Sequence, residues 1–302
     1  SIASQMAAYS LYTFFLLSIL LHLLRLDVAS TTFNITNNCG YSVWPGILSN
    51  AGVPSIEPSG FLLQQGESRT IPAPPSWGGR MWGRTGCAVD SGGRFFCTTG
   101  DCGSGKVECN GNGAAPPATL IEFTLSGYGA KDYYDVSLVD GYNLQVLVTP
   151  RGGNGDNCST TGCVADLNAA CPAELAVISE VGKVACKSAC EAFQQPEYCC
   201  VGMYASPDTC KSTSYSQLFK NACPHAYSYA YDDGTSTFTC SSSPNYDILF
   251  CPSPIQANKD DQETDTSSTI KSTMTYSGAS VPRVSWVILS IVLYLLIRIQ
   301  IS

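Results

Sequence analysis

The sequence predicts a mainly β protein, a sandwich of short strands with disulfide-rich loop lobes. Short runs of β-branched and aromatic residues recur between turn residues, and 27 glycines and 17 prolines punctuate the chain. All 16 cysteines lie between positions 39 and 251, and the chain has only two histidines. An even, large number of cysteines with so few histidines favours disulfides over metal or redox chemistry. We therefore predict an exported, disulfide-linked protein with no metal site and no cofactor.

The charge balance excludes one large class of partners. The 302 residues contain 16 Lys and Arg against 24 Asp and Glu, which gives a formal net charge of −8. Such a chain lacks the basic surface that neutralises nucleic acid phosphates, so no nucleic acid partner is predicted. An anionic membrane surface would repel it as well. We expect a monomer.

Residues 1–30 are predicted to be a signal peptide region. The apolar run at 11–24 has the length of a signal h-region, and the segment 28–30 offers small residues for cleavage. A mature start near Thr31 follows. Because residues 6–11 carry no positive charge, a short membrane anchor is the alternative.

Two further segments follow the predicted domain at 31–258. Residues 259–283 are rich in Ser, Thr and Asp and predict a linker that cannot bury enough apolar surface to fold. Residues 284–302 form a hydrophobic tail whose apolar run is shorter than the roughly 18 residues of a spanning helix. With small residues at 277–279, this tail predicts a GPI attachment signal. The alternatives are an attachment site further upstream, near Ser267-Ser268, a single-pass anchor and a simply secreted form.

Alternating runs bounded by turn residues predict the strands in order. The run 32–37, a turn at 38–40 and a second run at 41–44 predict a hairpin that ends at Pro45 and Gly46. Further strands are predicted at 68–71, 80–84, 119–125, 133–139 and 144–149.

The span from Cys158 to Cys223 predicts a second, loop-rich lobe. Its cysteines are dense, and one helix is predicted, from Leu175 to Cys190. No tight double pair of cysteines typical of a zinc ribbon is present, which argues against a metal site here.

A local motif points to a known family. Residues 93–102 read Gly-Arg-Phe-Phe-Cys-Thr-Thr-Gly-Asp-Cys, with glycines where the backbone bends and Asp101 placed to accept backbone N–H groups. This segment resembles the signature of thaumatin-like proteins, the plant pathogenesis-related group 5 family. Five more segments resemble that family, at 171–175, 195–200, 223–229, 235–240 and 250–252. The resemblance spans about residues 31 to 252 and implies a thaumatin-like sandwich and a role in plant defence.

The resemblance also implies eight disulfides. Carried over in chain order, the family's pairing is Cys39–Cys251, Cys87–Cys97, Cys102–Cys109, Cys158–Cys240, Cys163–Cys223, Cys171–Cys186, Cys190–Cys199 and Cys200–Cys210.

Carboxylates are the best candidates for a functional site. His225, directly after Cys223-Pro224, is interpreted as structural, and no Gly-x-Ser-x-Gly elbow is present. Three separate segments deliver acids instead. They match the acidic cleft that the resemblance implies, which here consists of Arg80, Glu122, Asp135, Asp140 and Asp232, with Asp233 as a rival for the last position and Arg84 as a rival for the first.

The resemblance implies β-1,3-glucan of cell walls as the partner of this cleft. In the binding interpretation the acids accept hydrogen bonds from sugar hydroxyls, and Tyr128, Tyr133 or Tyr231 stacks on sugar rings. In the enzymatic interpretation the protein is a weak endo-β-1,3-glucanase, with Glu122 as general acid and Asp140 as base or nucleophile. A structural ion-pair network without a ligand is the third interpretation.

The remaining expectations concern modification and location. Asn34-Ile35-Thr36 is a predicted N-glycosylation site, and Asn157-Cys158-Ser159 is a second match to the motif. The protein is expected outside the cell, tethered to the outer plasma membrane by GPI.

Overall fold

The computed structural model describes residues 31–241 and 244–253, together with Tyr12, Thr13 and Phe15. Most of the predicted signal region lies outside the described residues. The linker at 259–283 and the tail at 284–302 lie outside them too, so the predicted anchoring signal stays a prediction. Within the described part, no helix is both long and apolar enough to cross a bilayer.

Strands make up most of the regular structure. In chain order they are β1 (Thr32–Asn37), β2 (Trp44–Ser49), β3 (Ser68–Pro72), β4 (Gly78–Val89), β5 (Phe95–Thr99), β6 (Leu120–Thr124), β7 (Asp132–Ser137), β8 (Val146–Arg151), β9 (Thr161–Cys163), β10 (Ala176–Ser179), β11 (Gly182–Cys186), β12 (Phe238–Cys240) and β13 (Asn245–Phe250). One sheet has five strands in the order β3-β1-β13-β8-β9. The other has six, in the order β12-β7-β6-β4-β2, and β5 pairs with β4. The predicted mainly β sandwich is confirmed.

The helices are short and lie mostly in the cysteine-rich part of the chain. They are α1 (Leu167–Ala170), α2 (Ala189–Phe193), α3 (Pro196–Cys199), α4 (Ser214–Ala222) and α5 (Asp233–Ser236). The longest of these five, α4, begins at a capping box: Thr213 Oγ1 accepts from the backbone N–H of Ser216, and Ser216 Oγ accepts from the backbone N–H of Thr213. Single 3₁₀ turns occupy Tyr128–Ala130 and Gly202–Tyr204.

Aromatic side chains from the two sheets meet in the core. The ring of Phe33 on β1 lies 4.7 Å from that of Phe123 on β6, and Phe123 lies 4.9 Å from Tyr246 on β13. Tyr134 on β7 adds a ring 5.2 Å from Tyr246. Because these rings belong to different sheets and are almost fully buried, their contacts hold the sandwich together.

All sixteen cysteines are paired, and the eight pairs are those that the family resemblance implies. The bridge Cys39–Cys251 closes 212 residues of chain beside the parallel pairing of β1 with β13. The two ends of the folded span are therefore held together both by a strand ladder and by a covalent bond.

The predicted hairpin between 32–37 and 41–44 is wrong. β1 pairs with β13 and β3, while the second strand begins at Trp44, continues through Pro45 and pairs with β4. β2 is the outermost strand of its sheet, and a proline is tolerated at such an edge because its missing N–H removes no ladder hydrogen bond there. Pro45 therefore did not end the strand.

The predicted helix from Leu175 to Cys190 is also wrong. Its first part forms the hairpin β10–β11, and helix α2 begins only at Ala189. Gly182 follows the hairpin turn with a φ of 108°, a conformation that favours glycine and that ends a helix. The β-branched residues Val177 and Ile178 also favour a strand.

We predict that the bridge joining the chain ends contributes more to stability than a short-range bridge does. Cys39–Cys251 closes 212 residues and Cys200–Cys210 closes 10, so loss of the first frees far more conformational entropy in the unfolded chain. The double variant Cys39→Ala/Cys251→Ala should lose about 3 kcal/mol more free energy of unfolding than Cys200→Ala/Cys210→Ala. Denaturant unfolding of both variants measures the difference, and equal losses would contradict the loop-entropy argument.

Candidate functional site

Three ionisable side chains lie side by side across the six-stranded sheet. Arg80 on β4 is opposite Glu122 on β6, and Glu122 is opposite Asp135 on β7. Residues directly opposite in antiparallel strands point to the same face. Arg80 Nε lies 3.7 Å from Glu122 Oε1, and both side chains are somewhat more than a third exposed. The structure thus brings together three of the five residues predicted for the cleft. We call Arg80, Glu122 and Asp135 the acidic row.

Glu122 lies between a cation and two acids. Burial raises the pKa of its carboxyl, Arg80 lowers that pKa and Asp140 raises it. Asp140, which follows the end of β7, is therefore an electrostatic neighbour of Glu122. This arrangement favours a carboxyl group that holds its proton to a higher pH than an ordinary glutamic acid does.

Asp135 is the least compensated acid of the row. Its Oδ1 is buried and has no hydrogen-bond partner among the described residues. Burial raises the pKa of this carboxyl well above its usual value, and Glu122 and then Asp233 raise it further. A buried polar atom without a partner is costly, so such an atom in a native protein points to a ligand, a water molecule or a function.

The structure places Asp232 and Asp233 in different environments. Asp232 Oδ2 lies 2.9 Å from Lys220 Nζ and accepts hydrogen bonds from the backbone N–H and hydroxyl of Ser228. Through these contacts the Asp232 carboxylate fixes the loop at residues 228–232. Asp233 is exposed, accepts a hydrogen bond of 2.7 Å from Tyr227 Oη and influences the pKa of Asp135. The aspartate that neighbours the acidic row is therefore Asp233, the alternative candidate for the last cleft position, and not Asp232.

Arg84, the alternative candidate for the arginine of the cleft, has a structural role. Its side chain is fully buried and donates to three backbone oxygens, those of Trp44 at 2.9 Å, Pro45 at 3.2 Å and Val107 at 2.6 Å. Burial lowers the pKa of its guanidinium to about 10, which leaves it charged at neutral pH. Arg84 holds the loop around Val107 against β2, and Arg80 is the arginine that faces the acids.

The predicted aromatic partners differ in position. Tyr133 shares a face of β7 with Asp135, because the two are separated by one residue, and its hydroxyl donates to the backbone oxygen of Tyr128. Tyr128 is 90% exposed. Tyr133 therefore flanks the acidic row, and Tyr128 lies beside it. His225 packs its ring edge-on against Phe238 at 5.8 Å, outside the row.

Two residues of the site could not be found from the sequence. Lys220, in the last turn of α4, binds Asp232 and also donates to the hydroxyl of Ser236 at 2.8 Å. Tyr227 pairs with β7 through the backbone, its N–H donating to Val136, and its hydroxyl holds Asp233. Tyr227 lies in the family-like segment 223–229 and Lys220 in none of these segments, but the role of neither could be read there, since each acts through a contact made only after folding.

The structure also gives the surroundings of the two predicted N-glycosylation sites. Asn34 Nδ2 donates to Asp247 Oδ1 at 3.3 Å on the outer face of β1, and Asn157 Nδ2 donates to the backbone oxygen of Thr237 at 2.8 Å. Within residues 31–241 and 244–253, no three His, Cys, Asp or Glu side chains are arranged to hold a metal ion.

Chemically, the acidic row offers hydrogen-bond acceptors next to one arginine. Carboxylate oxygens accept hydrogen bonds from hydroxyl groups, and the guanidinium of Arg80 is a donor for an oxygen acceptor. A carboxyl with a raised pKa next to a second acid is also the arrangement that general acid catalysis requires.

The comparisons with known proteins agree with the fold. The model of the thaumatin family matches residues 37–252. A thaumatin-like protein 1 of Pyrus pyrifolia is 54% identical over 226 residues, which are 74% of this chain and 92% of that protein.

Two other relatives carry names that concern function. A Prunus avium protein named glucan endo-1,3-beta-glucosidase is 53% identical, over 74% of this chain and 91% of that protein. An Arabidopsis thaliana protein named PR5-like receptor kinase is 52% identical, over 82% of this chain but only 38% of the longer relative.

We predict that Asp135→Asn stabilises the protein at neutral pH. The pKa of Asp135 is raised by folding, so the folded state keeps a proton that the unfolded chain has released, and the unaltered protein loses stability as the pH rises above about 3.9. The neutral amide removes this loss. The melting temperature of Asp135→Asn should exceed that of the unaltered chain at pH 7.

The gain should shrink towards zero as the pH falls through the unfolded pKa, since the carboxyl is then protonated in both states. Asp208→Asn, an exposed acid outside the row, is the matched control and should leave the melting temperature unchanged at each pH. A gain for Asp135→Asn that is equal at pH 3 and pH 7 would contradict the electrostatic explanation.

Proposed function

Since the chain belongs to the thaumatin family, whose relatives include pathogenesis-related defence proteins, we propose that it binds β-1,3-glucan of cell walls through the acidic row. The proposed ligand-binding residues are Arg80, Glu122, Asp135 and Asp140, with Asp233 in the position that the sequence assigned to Asp232. The proposed binding needs no cofactor.

The unpartnered Oδ1 of Asp135 carries this proposal. A purely structural network would pair this acid with a cation, and Asp232 with Lys220 shows how the same fold does so at 2.9 Å. Asp135 instead has two acids as neighbours, and its Oδ1 has no partner among the described residues. A sugar hydroxyl is a neutral donor that satisfies such an oxygen without adding a charge.

Weak endo-β-1,3-glucanase activity is the second candidate function. The observation that favours it is the raised pKa of Glu122, since a general acid must hold its proton at the working pH. Asp140 would act as base or nucleophile on the other side of the bond. The relative named glucan endo-1,3-beta-glucosidase supports this candidate by similarity alone.

We predict that retention on insoluble β-1,3-glucan depends on the acidic row. Glu122→Gln and Asp135→Asn keep the shape of each side chain but replace an acceptor oxygen with an NH2 donor, so each should weaken retention by on the order of tenfold, about 1.4 kcal/mol. Co-sedimentation of the oxidised protein with the polysaccharide measures this. Glu57→Gln, an exposed acid outside the row, is the matched control and should bind like the unaltered chain.

Release of reducing ends, followed in the same samples, separates the two candidate functions. Release that is lost in both Glu122→Gln and Asp140→Asn supports the enzyme, and retention without release supports binding alone. No retention and no release would refute both.

We also propose that the protein acts at the cell surface, held there by a GPI anchor added near residues 277–279. Thaumatin-like relatives of the pathogenesis-related group are typically secreted, and the relative named a receptor kinase supports a cell-surface setting. The composition of the tail carries the proposal.

We predict that phosphatidylinositol-specific phospholipase C releases the full chain from the surface of plant cells that express it. Deletion of residues 284–302 is the control and should send the protein to the medium without treatment. Protein that resists the phospholipase but dissolves in detergent would indicate a single-pass anchor instead.

A further inference from the structure

A second concave site lies between two hairpins and contains no residue of the acidic row. It is bounded by the β4–β5 hairpin on one side and the β10–β11 hairpin on the other, and its volume is about 890 Å³. Ligand pockets span about 300–1,000 Å³, so this groove is large enough for an extended ligand. We call it the hairpin groove.

Aromatic side chains line the hairpin groove. Tyr41 and Phe96 are 50% and 42% exposed, and Trp44 is half-buried beside them. Rings of this kind present flat apolar faces to a ligand and lose little conformational entropy on binding. Three such rings in one groove suit a ligand that itself has flat, weakly apolar faces.

An amide with an unused acceptor also lines the groove. Asn168 Nδ2 donates to the backbone oxygens of Asn143 at 2.9 Å and Val184 at 3.1 Å, which fixes the orientation of the amide. Its Oδ1 is buried and has no hydrogen-bond partner among the described residues. Such an oxygen requires a donor from a ligand or a water molecule. This observation is independent of the aromatic rings.

The backbone around the groove disfavours an extended peptide as the occupant. On β5, the N–H of Phe95 donates to Gly105 at 3.0 Å and the N–H of Cys97 donates to Asp101 Oδ2 at 2.6 Å. On β11, the N–H of Cys186 donates to Tyr142 at 2.8 Å. Because these edge groups of β5 and β11 already have partners, a peptide strand cannot pair with them there.

The charges around the groove disfavour an ionic ligand. Lys183 donates from Nζ to the backbone oxygen of Cys171 at 2.6 Å, and Glu180 supplies the opposite charge nearby. A net charge of −8 on the whole chain argues further against an anion. The hairpin groove therefore fits a neutral ligand that has hydroxyl donors and flat ring faces.

We propose that the hairpin groove binds a neutral oligosaccharide, whose rings stack on Tyr41, Trp44 and Phe96 and one of whose hydroxyls donates to Asn168 Oδ1. This site is separate from the acidic row, and the proposal does not depend on glucan binding there. A chain with both sites would hold two stretches of polysaccharide, or two different polysaccharides, at once.

The placement of the tryptophans gives a test specific to the groove. Trp77 and Trp82 are fully buried, whereas Trp44 lines the groove. The full chain carrying Trp286→Phe, which removes the tryptophan of the C-terminal tail, is titrated with β-1,3-linked glucan hexasaccharide, β-1,4-linked glucan hexasaccharide and xylohexaose. We expect a saturable change in Trp44 emission with at least one of the three.

Variants of Phe96 separate stacking from indirect effects. Phe96→Ala should weaken the affinity by on the order of tenfold, and Phe96→Tyr, which keeps the ring, should stay within about threefold of the unaltered chain. Tyr41→Ala is a second variant at a half-exposed position and should weaken the affinity in the same direction. Circular dichroism verifies that each variant is folded.

The acidic row supplies the control that distinguishes the two sites. Glu122→Gln combined with Asp135→Asn should leave the Trp44 titration unchanged, even where it abolishes retention on insoluble glucan. A saturable change that survives Phe96→Ala and Tyr41→Ala but is lost in the acidic-row variant would overturn the groove proposal. Absence of a saturable change with all three sugars would also overturn it, whatever the outcome at the acidic row.

Discussion

Burial of one row of apolar side chains determines where the acidic row lies. Met81, Ile121 and Val136 are opposite one another on β4, β6 and β7, and all three are at most 1% exposed. Since alternate residues of a strand point to opposite faces, their neighbours Arg80 and Glu122 must point away from the core, as must Asp135. A slip of one residue would bury the charges and expose the apolar row. The hydrophobic core thus fixes the register that aligns the site.

The acidic row lies next to the part of the outer sheet face that the disulfide loop of Cys102–Cys109 covers. Two residues beyond the acidic row, Trp82 and Leu120 point to the same outer face but are nearly fully buried, in a small cluster with the bridge Cys102–Cys109. Arg84 holds this disulfide loop in place through its hydrogen bonds to backbone oxygens. One part of the sheet surface is therefore closed by a disulfide loop, while the adjoining part stays open to a ligand.

The sequence was sufficient for the fold class and for the acidic row, and insufficient for their surroundings. The alternation of apolar and polar residues identified the strands that carry Arg80 and Glu122. This was possible because the alternation of buried and exposed side chains along a strand depends only on neighbouring residues. The pairing of β1 with β13 joins residues more than two hundred positions apart, and no local pattern specifies it. The helix predicted from Leu175 failed because a turn at Gly182 outweighed a weak helical pattern. The choice between Asp232 and Asp233 depended on Lys220, whose contact exists only in the folded chain.

Concentrating acids at one place lowers stability, and the covalent framework offsets this. Asp135 is half-buried beside Glu122 and Asp233, with its Oδ1 fully buried, so its ionisation is unfavourable in the folded state and not in the unfolded one. Eight disulfides restrict the unfolded chain and leave the folded site unchanged, so they add stability without neutralising the acids. Ion pairing of Asp135 would also stabilise the fold, but it would occupy the oxygen that the proposed ligand uses. A fold stabilised mainly through its unfolded state can keep a carboxyl group unpaired, which is the physical reason why the proposed binding site can lie at the acidic row.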